Sequence, residues 1–119
     1  MLKRILVLDD SPATGDMMKE ALSYGQFDVK ATCDSSNFIE TVKGYKPDLL
    51  ILDHKHHGPK GDELCMQIKA HRLLFDIPVI ICSAYLNKDE TLSCGCDAVI
   101  AKPFGLEELM EKVNSLVYC

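Results

Sequence analysis

Five side chains suited to phosphoryl chemistry stand directly after four short apolar runs. Asp9 and Asp10 follow Ile5-Leu6-Val7-Leu8, Asp53 follows Leu49-Leu50-Ile51-Leu52, Ser83 follows Val79-Ile80-Ile81-Cys82, and Lys102 follows Ala98-Val99-Ile100-Ala101. Carboxylates crowded together repel one another and hold their protons more tightly unless a cation sits among them. A divalent ion with oxygen ligands removes that conflict. Mg2+ suits a few carboxylates on separate loops, because it keeps several waters and accepts phosphate oxygens. A carboxylate is also a nucleophile: attack by Asp53 on phosphorus would give an aspartyl phosphate. The metal and the Lys102 ammonium would offset charge on the equatorial oxygens, and Ser83 would donate a hydrogen bond. Each residue alone has a plainer reading. Asp9-Asp10 and Ser83 can cap a helix or close a turn, and Lys102 can be a solvated lysine. Asp53 resists that reading, since His54-Lys55-His56-His57 follows it instead of a cap and a helix.

The apolar runs explain how such distant residues could meet. Short continuous apolar runs are typical of strands buried on both faces of a parallel sheet, and ligands of such sheets gather at the strands' carboxyl ends. Ser11-Pro12 reads as an N-cap with proline at the first helical position, and Met17, Met18, Ala21 and Leu22 keep helical spacing up to Gly25. Phe27, Val29 and Ala31 alternate with Asp28 and Lys30, the pattern of an edge strand with one wetter face. Asp34-Ser35-Ser36 caps a short helix through Phe38, Ile39 and Val42 that stops at Gly44. A loop from His54 to Gly61 follows the third strand; Leu64, Cys65 and Ile68 mark the next helix, Ile77 to Cys82 the fourth strand and Ala98 to Ala101 the fifth. Leu106, Leu109, Met110, Val113, Leu116 and Val117 mark an amphipathic last helix. Strands alternating with helices call for parallel pairing and right-handed crossovers, hence a doubly wound α/β sandwich.

With 119 residues, 47% of them hydrophobic, the chain matches one globular domain, spanning 1–119. A domain of that size buries enough surface to fold without disulfides or structural metal. Of six cysteines, Cys33, Cys65 and Cys82 lie in or beside apolar stretches and read as core, while Cys119 reads as an exposed end. Cys94-Gly-Cys96 has the look of half a metal site but lacks a second pair at zinc-like spacing. Reduced thiols and the lack of a secretory or membrane segment point to the cytoplasm. The formal net charge of −5, with no basic cluster interleaved with aromatics, argues against direct nucleic-acid binding.

Leu8-Asp9-Asp10-Ser11, Leu52-Asp53, Ser83-Ala84 and Lys102-Pro103-Phe104, in that order along the whole chain, resemble the receiver (CheY-like) domain of two-component response regulators. The resemblance implies a five-stranded flavodoxin-like sandwich of order 2-1-3-4-5. It implies phosphorylation by a histidine kinase or a histidine phosphotransfer protein, self-catalysed with Mg2+, and output through a protein target. Asp53 matches the phosphoacceptor, Asp10 a direct metal ligand and Asp9 its partner acting mostly through metal-bound water. The backbone carbonyl of Lys55 matches the third protein ligand, Ser83 the switch hydroxyl, and Lys102 the lysine that pairs with the phosphoryl group. The Lys102-Pro103 bond is usually cis in this family. Gly61, eight residues after Asp53, also matches. A flavodoxin-type cofactor binder would share the sheet order, yet Asp9-Asp10-Ser11-Pro12 is no Gly- or Ser/Thr-rich phosphate loop.

The chain departs from the pattern in three places. His56-His57 replaces the usual apolar-Pro pair, leaving loop histidines that could be solvated, pH-sensing or metal-binding. Val99 stands where an aromatic residue usually couples to the switch hydroxyl. Asn87 to Gly95 leaves room for at most a shortened fourth helix, so the usual output face must be reshaped. A degenerate receiver working as a phosphorylation-independent interaction module is therefore the competing expectation. Lys55 and Tyr85 match positions flanking the path of the hydrolytic water, and both are bulky. The aspartyl phosphate should accordingly outlast that of a Lys55→Ala, Tyr85→Ala variant, a comparison made by timing phosphate release from the two proteins.

Overall fold

A computed structural model of the protein describes residues 2–53, 61–83, 94–102 and 104–118. Five strands form one parallel sheet: β1 (Lys3–Leu8), β2 (Phe27–Thr32), β3 (Leu49–Asp53), β4 (Val79–Ser83) and β5 (Ala98–Ala101), in the order β2-β1-β3-β4-β5. The helices between and after them are α1 (Pro12–Ser23), α2 (Phe38–Tyr45), α3 (Gly61–Ala70) and α4 (Leu106–Val117). The shortened helix expected between Asn87 and Gly95 falls largely outside the described residues.

The pleat sends alternate side chains to opposite faces, so each central strand feeds two cores. Ile5 and Val7 of β1 pack with Met18 and Leu22 of α1 and Leu109 and Val113 of α4. Leu6 and Leu8 pack on the other face with Phe38 and Val42 of α2 and Leu64, Cys65 and Ile68 of α3. Helices therefore cover both faces of a three-layer sandwich. This is why β3 and β4, buried at every residue, read as unbroken apolar runs. β2, at the edge, alternates buried Phe27 and Val29 with exposed Asp28 and Lys30 as its sequence pattern predicted.

Local chemistry sets the element ends. Ser11 caps α1 by accepting a hydrogen bond from the Thr14 amide at 3.3 Å, with Pro12 at the first helical position. The expected cap of α2 at Asp34-Ser35-Ser36 is corrected: Asn37 precedes the helix, and Asp34 closes a turn on the Ser36 amide and hydroxyl. Nor does α2 stop at Gly44. It runs through Tyr45 and ends at Lys46, at φ 55°, because Pro47 disfavours a right-handed helical conformation in the residue before it. Arg4 compensates that end by donating to the Tyr45 carbonyl at 2.8 Å. β4 begins at Val79 instead of Ile77, since Pro78 has no N–H to donate and Ile77 still belongs to the preceding turn, bonded to Leu74 O. Gly25 is required for space: a Cβ there would collide with the Met110 methyl and crowd the Phe27 ring at 3.1 Å. Cys65 and Cys82 are core residues as read from sequence, but Cys33 is exposed, because it lies one residue beyond β2 where the ladder has ended.

Leu50 lies in a strand with neighbours on both sides and is wholly buried, so Leu50→Ala should cost about 2–5 kcal/mol in urea denaturation without changing the m-value. Leu73→Ala, at a side chain 64% exposed, should stay within about 0.5 kcal/mol.

Candidate functional site

The sheet's backbone ladders bring the candidate residues to one edge. Leu8 pairs with Leu52, Asp53 with Cys82, and Ser83 with Ala101, so the carboxyl ends of β1, β3, β4 and β5 stand nearly level. The ladders continue one step past the strands: the Asp9 amide donates to Thr32 O at 3.1 Å and the Lys102 amide to Ser83 O at 2.9 Å. Asp9 and Lys102, 93 residues apart in sequence, are thus placed by main-chain bonds before any side-chain interaction is counted.

Asp9, Asp53 and Ser83 are all but excluded from solvent, at 3%, 5% and 2% exposure, while Asp10 and Lys102 are half-buried. The Lys102 ammonium reaches Asp9 Oδ2 at 3.1 Å and Asp53 Oδ1 at 2.9 Å. Asp9 Oδ1 accepts the Ser11 amide at 2.9 Å. Buried carboxylates are costly unless paired and hydrogen-bonded, and Lys102 serves two of them at once. Burial by itself would push the Lys102 pKa down. The hydrogen bonds and charges of Asp53 and Asp9 outweigh that and hold it above the ordinary lysine value. Beneath them, burial pushes the Cys82 thiol up to about 12.

Of the residues picked out by sequence, Asp9, Asp53, Ser83 and Lys102 share this edge, with Asp10 directly following Asp9. Lys55, His54, His56, His57, Tyr85 and Pro103 lie outside the described residues. Sequence reasoning missed the direct Asp9–Lys102 pair and the role of the Ser11 amide. The signal for the latter was present, since an Asp two residues before a helix cap commonly bonds the backbone two residues on. Asp9-Asp10 therefore has a structural part as well as a chemical one.

The donor set fits a hard divalent cation. Asp9, Asp10 and Asp53 offer only oxygens, the donors such an ion prefers. A carboxylate, an ammonium and a hydroxyl at the end of the neighbouring strand together can receive and hold a tetrahedral oxyanion group.

Comparison with known proteins gives the same class. The family model for the response regulator receiver domain matches residues 5–114. The chain is 31% identical over 120 residues to the response regulator MprA of Mycobacterium ulcerans, covering 98% of this chain and 51% of MprA. The crystal structure of a CheY-like receiver domain protein from Methanospirillum hungatei superposes with a TM-score of 0.88 at 28% identity, covering 99% of this chain and 95% of that one. The receiver domain of the sensor histidine kinase PA1611 from Pseudomonas aeruginosa, with magnesium coordinated in its active-site cleft, gives 0.89 at 20% identity with full coverage of both chains. The chain belongs to the response regulator receiver domain family. It is a receiver domain of the kind found in two-component systems, and it spans about half the length of the curated relatives it matches.

Removing the shared cation should expose the repulsion it masks: Lys102→Ala should lose on the order of 3 kcal/mol in metal-free buffer. Added Mg2+ should restore more stability to the variant than it adds to wild type, as read from paired thermal melts. The pH dependence has a definite sign. The folded pKa of Lys102 lies above the ordinary 10.5, so the pairing stabilises fully below about that pH and is lost as pH rises through the folded value. Wild type should show this alkaline loss and Lys102→Met should not.

Proposed function

We propose that this protein works as a single receiver domain that accepts a phosphoryl group on Asp53 from a phosphohistidine of a histidine kinase or a phosphotransfer protein. The observation that carries the reading is the Lys102 ammonium held between buried Asp9 and Asp53 at the carboxyl edge of the sheet. An Asp53 oxygen attacks phosphorus, the P–N bond breaks, and its electron pair leaves with the imidazole. Lys102 can turn from Asp53 toward a phosphoryl oxygen while keeping Asp9. Ser83, on the strand beside Asp53, is suited to donate its hydroxyl hydrogen bond to a second oxygen. Asp9, Asp10, Asp53 and the Lys55 carbonyl would hold Mg2+, which when bound supplies positive charge against the phosphoryl oxygens. Slow hydrolysis of the acyl phosphate returns Asp53, and output passes to a protein partner. The acidic balance of the chain counts against direct binding to nucleic acid, and among the described residues no helix is long and apolar enough to cross a membrane.

Retention of Asp9, Asp10, Asp53, Ser83 and Lys102 together counts against the phosphorylation-independent alternative. Incubation with acetyl phosphate and Mg2+ followed by intact-mass spectrometry tests the reading. Wild type should gain the mass of one phosphoryl group, and neither Asp53→Ala nor metal-depleted wild type should gain it. No gain in wild type with Mg2+ binding confirmed separately would overturn the proposal.

A further inference from the structure

A second constellation lies away from the phosphoryl site, where the turn leading into β5 meets α3. Cys65 on α3 and Cys94 in that turn, 29 residues apart, are both buried, and the Cys65 sulfur reaches the Cys94 carbonyl at 3.7 Å. Cys65 and Cys94 lie in one buried core cluster. Cys96 is half-buried against the same core. All three are reduced thiols.

The turn is held where it is by a separate anchor. Asp97 Oδ2 accepts from Lys69 Nζ at 2.8 Å and from the Val79 amide at 2.8 Å, and Lys69 also donates to Ile77 O at 2.8 Å. Cys65 and Lys69 are four residues apart and so share one side of α3, which grips the turn at two points. Gly95, at φ 91°, allows the chain to double back between the two cysteines. Cys65, Cys94 and Cys96 are not arranged to hold a metal ion, so the shared chemistry of the cluster is that of thiols.

We propose that Cys65, Cys94 and Cys96 form an oxidant-responsive site in which Cys94 becomes half of an intramolecular disulfide. The co-reactant is a hydroperoxide. The Cys96 thiolate, nearest to solvent, attacks a peroxide oxygen; the O–O bond breaks, and water or an alcohol leaves with the second oxygen, giving a sulfenic acid. Cys94 attacks that sulfur, the S–O bond breaks and water leaves. Two thiols have then become one disulfide and the peroxide has taken up their electrons and protons. Attack of Cys65 on the Cys94 sulfur, releasing Cys96 as a thiol, would transfer the bond and tie α3 to the turn. Burial keeps the Cys65 and Cys96 thiols protonated at neutral pH, holding Cys96 up to about 12 and Cys65 higher still. The site therefore reacts slowly, answers sustained rather than trace oxidant, and speeds up in alkaline buffer.

The test uses the full chain carrying Cys33→Ser and Cys119→Ser, treated with hydrogen peroxide, quenched, denatured, alkylated and peptide-mapped. Expected is a monomer that has lost two thiol hydrogens, with Cys94 linked to Cys65 or Cys96, formed faster at higher pH. Cys94 still fully alkylatable after treatment, or found only in links between chains, would overturn the proposal. Because this mapping keeps all three cysteines, its outcome does not depend on a core variant folding.

Discussion

Everything at the carboxyl edge of the sheet turns on one ammonium placed between two carboxylates that have little water to lean on. Asp9 and Asp53 are nearly excluded from solvent, and Lys102 touches both. That contact offsets part of the cost of burying both carboxylates, and it leaves one ammonium shared between two partners. An ammonium shared between partners can be redirected when one of them changes charge or acquires a phosphoryl group, whereas a lysine committed to one buried partner would have to break its only pair.

That arrangement depends in turn on backbone geometry. The bonds from Asp9 to Thr32 and from Lys102 to Ser83 are ladder bonds carried one residue past the strands, so the charged residues inherit the register of the sheet. The register is protected by the two cores. A one-residue slip of β1 would exchange Ile5 and Val7 for Leu6 and Leu8 between the α1–α4 face and the α2–α3 face, and it would also carry Asp9 away from Lys102. Packing and chemistry are therefore specified by the same alternation of side chains.

The far end of the sheet is held by different means. Arg4 closes α2 through the Tyr45 carbonyl and lies over the Tyr45 ring at 5.5 Å, and the Asp97–Lys69 pair fixes the turn before β5. These contacts stand away from the carboxyl edge of the sheet, so the groups that brace the fold there are not the groups gathered around Lys102. They also place the thiol cluster just before the strand that leads to Lys102.

Much of this was readable in the chain itself. Apolar runs ending on Asp9-Asp10, Asp53, Ser83 and Lys102 specify a parallel sheet and a polar edge, because a strand buried on both faces must be apolar throughout and can turn polar only where it leaves the core. Ser11-Pro12 announced α1 for a similarly local reason, a side-chain cap followed by a fixed φ. The sequence was less informative wherever a distant neighbour decides. Gly44 looks like a stop, yet α2 continues to the residue before Pro47 and is capped by Arg4 from another strand. Cys33 looks like core and is exposed, because the chain just past β2 has already left the sheet. The contact between Lys102 and Asp9, and the meeting of Cys65 with Cys94 and Cys96, could come only from the tertiary structure: residue types and local spacing fix what a side chain can do, but which distant partner it meets is settled by the order and register of the strands.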